Sequence, residues 1–413
     1  MKSMRSVLGI PDVRRLIFVT TMSQLGDRLT HMLLITVIAL VRPGRLMGYS
    51  EGALVFSLPT LLLCPVVGVL VDRWDRRRVL GITHLIQSGV LLVTPLVIRL
   101  TGSFVPFWVA LFVFFGLDLF NNTAGPSLLP VLAGERRLVA ANSAQLAFGR
   151  AATIVGMLAG GVLIAWVGWS AGLVINALTH LSAGVAAFAI SPLRKATPRP
   201  GEPSIPVARE LAGAAGRFLA EFAELLSLVS HNRRVAFVLA SIVVSTFVSA
   251  ASYTILIYLV QQVLGLGTAG VGALAGVLAF GMVAGAAGMS LLPEDVNRKR
   301  AICAFVLVHG LPFVIGRFHL SLPFIVVAAL VSGAAYSGLG VLQNTMLQEE
   351  AEPGIRARVF SAREFITNAT FIVSTLVIGL AGEVAPWRSL LLFIGLALVL
   401  LSLTGLVWSR NDR

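Results

Sequence analysis

Apolar residues run through this chain in blocks of about twenty, the length that carries a helix across a bilayer. Short polar breaks separate them. Twelve blocks can be counted, at roughly 16–40, 52–71, 79–99, 104–125, 139–166, 169–190, 235–260, 271–292, 301–317, 321–343, 359–382 and 387–408. The pattern predicts an all-α membrane protein with twelve transmembrane helices. The first and fifth blocks exceed the bilayer, so tilt or protrusion is expected there. The first block starts after Arg14-Arg15 and runs past the length of a signal-peptide core, so no cleavable signal is expected.

Composition and charge sharpen this picture. The 413 residues are 57% hydrophobic and 12% charged, and soluble domains carry about 25% charged residues. The net charge of +13 would suit nucleic acid, but its distribution argues otherwise. With the N-terminus placed in the cytoplasm, cytoplasmic segments hold 25 of the 32 Lys and Arg. The outer loops hold Arg42, Arg45, Arg99, Arg317 and Arg388, while Arg28 and Arg150 fall inside spans. This is the positive-inside asymmetry, and it predicts that both termini are cytoplasmic. The basic balance then reflects topology and contact with anionic lipid rather than nucleic acid. Cys64 and Cys303 lie in or beside apolar helices and are expected to remain reduced.

The chain also repeats. Leu129, Ala133, Ser143 and Ala144 recur 218 residues later as Leu347, Ala351, Ser361 and Ala362, with the flanking apolar runs in step. The repeat predicts six-helix halves at 1–190 and 235–413, joined by a cytoplasmic linker at 191–234. The linker opens with Pro192, Pro198, Pro200, Pro203 and Pro206, then reads as an amphipathic helix over 207–229. Leu211, Phe218, Phe222, Leu225 and Val229 lie near one face of that helix, which suits the inner leaflet.

Two acids lie deep within spans, Asp27 in the first and Asp118 in the fourth. A charge at mid-membrane costs about 2.5–3.5 kcal/mol on insertion scales. Both acids are therefore expected to face a wet cavity or a partner. Gln24 near Asp27, Asn121 and Asn122 after Asp118, and Asn142, Gln145 and Arg150 in the fifth span extend the polar positions. They predict a polar lining in the first half, with Arg150 as the counter-ion. A proton-coupled carrier needs a carboxylate loaded from one side and unloaded to the other; burial favours the neutral form and a nearby cation the charged one. Asp27, Asp118 and Arg150 are the candidates for that task, and the same acids could instead tie helices together.

Between the second and third spans the chain reads Gly68-Val-Leu-Val-Asp72-Arg73-Trp-Asp75-Arg76-Arg77-Arg78-Val-Leu80. This resembles the loop between the second and third helices of major facilitator superfamily transporters, G-x-L-x-D-R-x-G-R-R/K. Gly68, Leu70, Asp72, Arg73, Arg76, Arg77 and Leu80 match, and Asp75 stands where that family has glycine. The second-half counterpart, Glu294 with Arg298-Lys299-Arg300, is degenerate. The resemblance implies two parallel, pseudo-symmetric halves working by alternating access. It also implies a cytoplasmic latch between the halves built on Asp72 and Arg73, to which Arg76 and Arg77 could add; alternatively the arginines only enforce topology. Gly156-Met-Leu-Ala-Gly160-Gly161 is similar to the G-P-x-x-G-G signature of the superfamily's exporters, with Met157 in place of proline. Small residues at this spacing let helices approach closely, and in the family that packing accompanies antiport. The stretches Ile10–Leu16, Ser23–Arg28 and Gln343–Ser361 resemble the bacterial drug and siderophore exporter branch, which includes enterobactin exporter and macrolide efflux-like proteins.

Other chemistry is not expected. His84, His180, His309 and His319 lack metal-ligand spacing and read as core or interface residues, so no metal site is predicted. No G-x-x-x-x-G-K-[ST] loop or catalytic triad is present, which argues against an ATPase or another enzyme. The expectation is a monomeric secondary transporter in the bacterial cytoplasmic (inner) membrane. It would export amphipathic small molecules with a proton or ion gradient as its energy source and no cofactor. A lysophospholipid flippase is the alternative within the superfamily, and a non-transporting scaffold or receptor the alternative outside it.

Overall fold

A computed structural model describes residues 7–134, 137–192, 213, 216, 233–289, 296–350 and 356–408. Eleven helices among these residues are long and apolar enough to cross a membrane. They are α1 (Pro11–Val41), α2 (Leu46–Arg73), α3 (Arg76–Thr101), α4 (Val105–Ala133), α5 (Leu138–Ala189), α6 (Arg233–Val263), α7 (Gly267–Gly288), α8 (Arg298–Phe318), α9 (Leu322–Glu350), α10 (Arg356–Val384) and α11 (Trp387–Trp408). Helices suit lipid because each segment satisfies its own backbone hydrogen bonds. Large apolar side chains are accordingly exposed, among them Trp166 at 86% and Phe393 at 79%.

The count reaches the expected twelve at α5. Its 52 residues would extend ~78 Å as one helix, more than twice the ~30 Å hydrocarbon core. The helix breaks at Gly168, whose φ of 80° lies in the left-handed region open to glycine. The two arms on either side of that residue are the fifth and sixth spans. The linker helix expected over 207–229 lies outside the described residues, apart from 213 and 216.

The chain divides into two compact units. Unit 1 comprises residues 1–37 and 55–219, and unit 2 comprises 38–54 and 220–413. Unit 1 has an apolar core that includes Leu16, Val71, Leu80, Leu128, Leu129 and Ala144. Unit 2 packs α6, α8, α9, α10 and α11 around residues such as Val238, Ile255, Val306 and Leu339. Residues 38–54 belong to unit 2, where Leu46 joins the apolar core and hydrogen bonds add to the packing. The Tyr49 hydroxyl donates to Gln261 Oε1 at 2.6 Å, and the Ser50 hydroxyl donates to the Thr375 carbonyl at 2.5 Å. Gln261 sits in a π-helical stretch of α6, where 252–256 and 259–263 widen the turn. No feature of the apolar pattern foretells that widening.

Candidate functional site

The loop motif comes first, because it fixes α3 against its neighbours in unit 1. Asp75 departs from the family glycine, and its backbone does not need one, with φ −66° and ψ 108°. It is the N-cap of α3: its carboxylate accepts from the backbone N–H of Arg77 at 3.0 Å and of Arg78 at 3.4 Å. Arg76 donates to the Ser127 carbonyl of α4 at 3.5 Å. Arg77 donates to the Phe188 carbonyl in the last turn of α5, where a cation suits the helix end. Gly81 meets the Phe188 ring one turn further along α3. Arg76 and Arg77 thus fasten helices within unit 1. Gly68 and Asp72 lie in the last two turns of α2, with the Asp72 side chain outside the described residues, and Arg73 is exposed at that helix's end.

The glycine motif of α5 packs against α1 at the level of the deep acid. A β-carbon on Gly149 would come within 2.8 Å of the Gln24 amide, and one on Gly156 within 2.8 Å of the Arg28 Cβ. One on Gly160 would lie 2.9 Å from Leu29. Gly161 is also buried. Thr153, on the same arm, donates to Gln24 Oε1 at 3.3 Å. The second arm closes on α1 from another side. The Asn176 amide donates to Thr30 Oγ1 at 2.6 Å. Polar atoms of Asn176, Thr179 and His180 press so closely on Gly26 that a β-carbon there would collide with all three.

Asp27 is thereby held on α1 with only 7% of its surface exposed. Its Oδ1 is buried and has no hydrogen-bond partner among the described residues, as is the case for the Oδ1 of Asp118 on α4. The other Asp118 oxygen accepts from Asn122 at 2.9 Å. The two carboxylates interact electrostatically, and both feel Arg28. Neither forms an ion pair among the described residues, so Arg28 acts at longer range than a direct contact. The unit 1 site is therefore a pair of like-charged groups around one arginine, with one oxygen of each acid buried and unmatched.

The remaining sequence candidates fall elsewhere. Arg150, expected as counter-ion, is exposed and makes no ion pair with Asp27 or Asp118 among the described residues; Arg28 takes that position instead. Asn122 and Asn121 lie on opposite sides of Asp118, about 100° apart around the helix, and among the described residues only Asn122 of the two bonds to it. Asn121 is buried in a separate network, accepting from Thr83 and donating to Gln87 Oε1 at 2.9 Å. Gln87 in turn donates to the Phe114 carbonyl at 3.1 Å and faces His84, whose Nδ1 lies 3.2 Å from that of His180. Asn142 is exposed and Gln145 half-buried, and no contact among the described residues joins either to the acids. His31, which the sequence reading passed over, lies one turn from Asp27 with its Nδ1 2.8 Å from the Asp27 carbonyl oxygen. The i, i+4 spacing was the available signal. No group of three or more His, Cys, Asp or Glu able to hold a metal occurs among the described residues.

Residues 17–294 match the Major Facilitator Superfamily model. The chain is 25% identical over 382 residues to the multidrug efflux pump Tap of Mycolicibacterium fortuitum, covering 89% of this chain and 88% of that protein. It is 32% identical over 155 residues to an uncharacterized MFS-type transporter of Mycobacterium tuberculosis, and to its counterpart in Mycobacterium bovis. That match takes in 37% of this chain and spans about a third, 35%, of those relatives. Among solved structures, the nucleoside transporter NupG aligns with a TM-score of 0.73 at 14% identity over 96% of this chain and 98% of its own. A bacterial homologue of the iron transporter ferroportin, in an inward-facing state, aligns with a TM-score of 0.70 at 17% identity and the same coverage. At those identities the likeness shows the fold. The family match extends over more than half of the sequence, and the chain belongs to the Major Facilitator Superfamily as a membrane transporter rather than an enzyme.

Proposed function

We propose that this transporter couples proton movement to the export of amphipathic small molecules across a bacterial cytoplasmic membrane, with both termini inside. The observation that carries this reading is the pair Asp27 and Asp118, each with a buried oxygen that no group among the described residues matches. Leaving such a group unmatched costs about 1–3 kcal/mol or more; a proton lowers the charge part of that cost, and a cationic ligand group supplies the missing partner. With one arginine nearby, a proton on either acid leaves one carboxylate against one guanidinium, so a proton can be gained or lost as a substrate leaves or enters. The likeness to a multidrug efflux pump supports export. No cofactor, nucleic acid or second subunit is invoked; lipid is the surrounding solvent. Asp72 and Arg73 are proposed to latch the cytoplasmic side.

The test is flux in proteoliposomes carrying purified protein under an imposed pH gradient. Wild type should move ethidium against its concentration gradient, and Asp27→Asn and Asp118→Asn should each reduce that flux by about tenfold or more, equivalent to ~1.4 kcal/mol. Movement of lysophosphatidylethanolamine without ethidium would assign the flippase activity instead. Flux of neither under any gradient would leave a non-transporting role.

A further inference from the structure

His31 is a polar residue of α1 that neither the family motifs nor the acid pair accounts for. Its Nδ1 is 2.8 Å from the Asp27 carbonyl oxygen. A carbonyl only accepts, so Nδ1 carries the hydrogen and the neutral ring keeps its lone pair on Nε2. Among the described residues no partner meets Nε2, and the ring is half-buried. Two phenyl rings flank it. Phe56 of α2 lies 5.2 Å away, tilted, and Phe115 of α4 lies 5.2 Å away, edge-on. The phenyls meet each other at 5.9 Å. The three helices that bring these rings together include the two that carry Asp27 and Asp118. A residue serving only to fill space here would be as well chosen as phenylalanine, which packs these rings without a polar edge.

We propose that His31 is a substrate-recognition residue: Nε2 accepts a hydrogen bond from an N–H or O–H group of an amphipathic ligand, and Phe56 and Phe115 pack against the ligand's apolar part. Asp27 orients the ring through its backbone, so the acceptor direction is set by the helix that carries the acid. This assignment rests on the export reading and names the selectivity of the same site. It favours ligands that carry a donor over equally apolar cations that lack one, because an unmatched acceptor discriminates more sharply than lost apolar area does.

The experiment compares two probes, ethidium, which has amino N–H donors, and tetraphenylphosphonium, which has none. Binding to purified wild type, His31→Phe and His31→Gln is measured at neutral pH, with thermal unfolding to confirm that each variant is folded. His31→Phe should weaken ethidium binding by about tenfold, the scale of one hydrogen bond in a dry site, and change tetraphenylphosphonium binding by less than about twofold. His31→Gln, which keeps an acceptor, should recover part of the ethidium affinity. Equal effects on both probes, or none on either, would overturn the recognition role while leaving pH-driven flux to stand. Binding of neither probe by wild type would overturn the substrate class on which both readings depend.

Discussion

At the scale of single residues, the polar positions of α1 divide by what surrounds them. Gln24 is taken up by Thr153, Thr30 by Asn176, and Gly26 by the tight approach of His180. Asp27 alone keeps a buried oxygen unmatched among these four. Gly26→Ala should therefore separate packing from chemistry. The added methyl meets three side chains at once, and overpacking of that kind costs about 1–3 kcal/mol. A lowered unfolding temperature in detergent checks it; an unchanged one would mean the second arm of α5 yields at no cost. Asp27 and Asp118 were legible in the sequence because a carboxylate in the middle of an apolar run is conspicuous. Their counter-ion was not, because a helix that is apolar all round carries no periodicity to say which way Arg28 or Arg150 turns. Asn121 was misplaced for a related reason, since its partners Thr83 and Gln87 come from another helix that the sequence does not set beside it.

At the scale of elements, the family motifs resolve into helix ends and helix contacts. Asp75 substitutes a capping carboxylate for the family's glycine, and unit 2 does the same with Asn297, which caps α8 by accepting from Arg300 N–H at 3.1 Å. Asp75→Ala should destabilise the protein by about 0.5–2 kcal/mol, whereas Asp75→Asn should cost little, because asparagine caps as well as aspartate. Chemical or thermal unfolding of the two variants distinguishes a capping role from a purely electrostatic one, which would make them alike. Gly160→Leu should push α5 away from α1 at Leu29 and lower both stability and flux, while Met157→Pro, which restores the exporter signature, tests whether the proline matters to this chain. Span positions were legible from the apolar blocks, and the break between the fifth and sixth spans fell at Gly168, between their expected ends. The π-helical widening of α6 was not legible, because an apolar block does not distinguish a widened turn from a regular one, even where it holds Ser252, Thr254, Gln261 and Gln262.

At the scale of the molecule, the sequence repeat suggested division at the linker, and the compact units add a refinement to that reading. Residues 38–54, which join α1 to α2, cluster with unit 2 rather than unit 1. The sequence could not foretell this, because the contacts are long-range; they include two hydrogen bonds to residues 212 and 325 positions away. Tyr49→Phe removes one of them and strands Gln261 Oε1 in a buried setting, so it should cost about 1–3 kcal/mol. Unfolding of the purified variant reads that cost directly, and full stability would show that Gln261 finds another donor. Twelve crossings also require both termini on one side of the membrane. Labelling of single cysteines introduced at each end should give matching accessibility, and opposite accessibility would require an odd number of crossings.

The central claim is that the acid pair of unit 1 carries the coupling proton. The most direct measurement is proton movement itself, read by a pH dye trapped in proteoliposomes when ethidium is added with no gradient imposed. Wild type should produce a substrate-dependent proton flux opposite to the ethidium, and Asp27→Asn with Asp118→Asn should abolish it while the protein stays folded. A substrate-driven proton flux that survives the loss of both carboxylates would contradict the account.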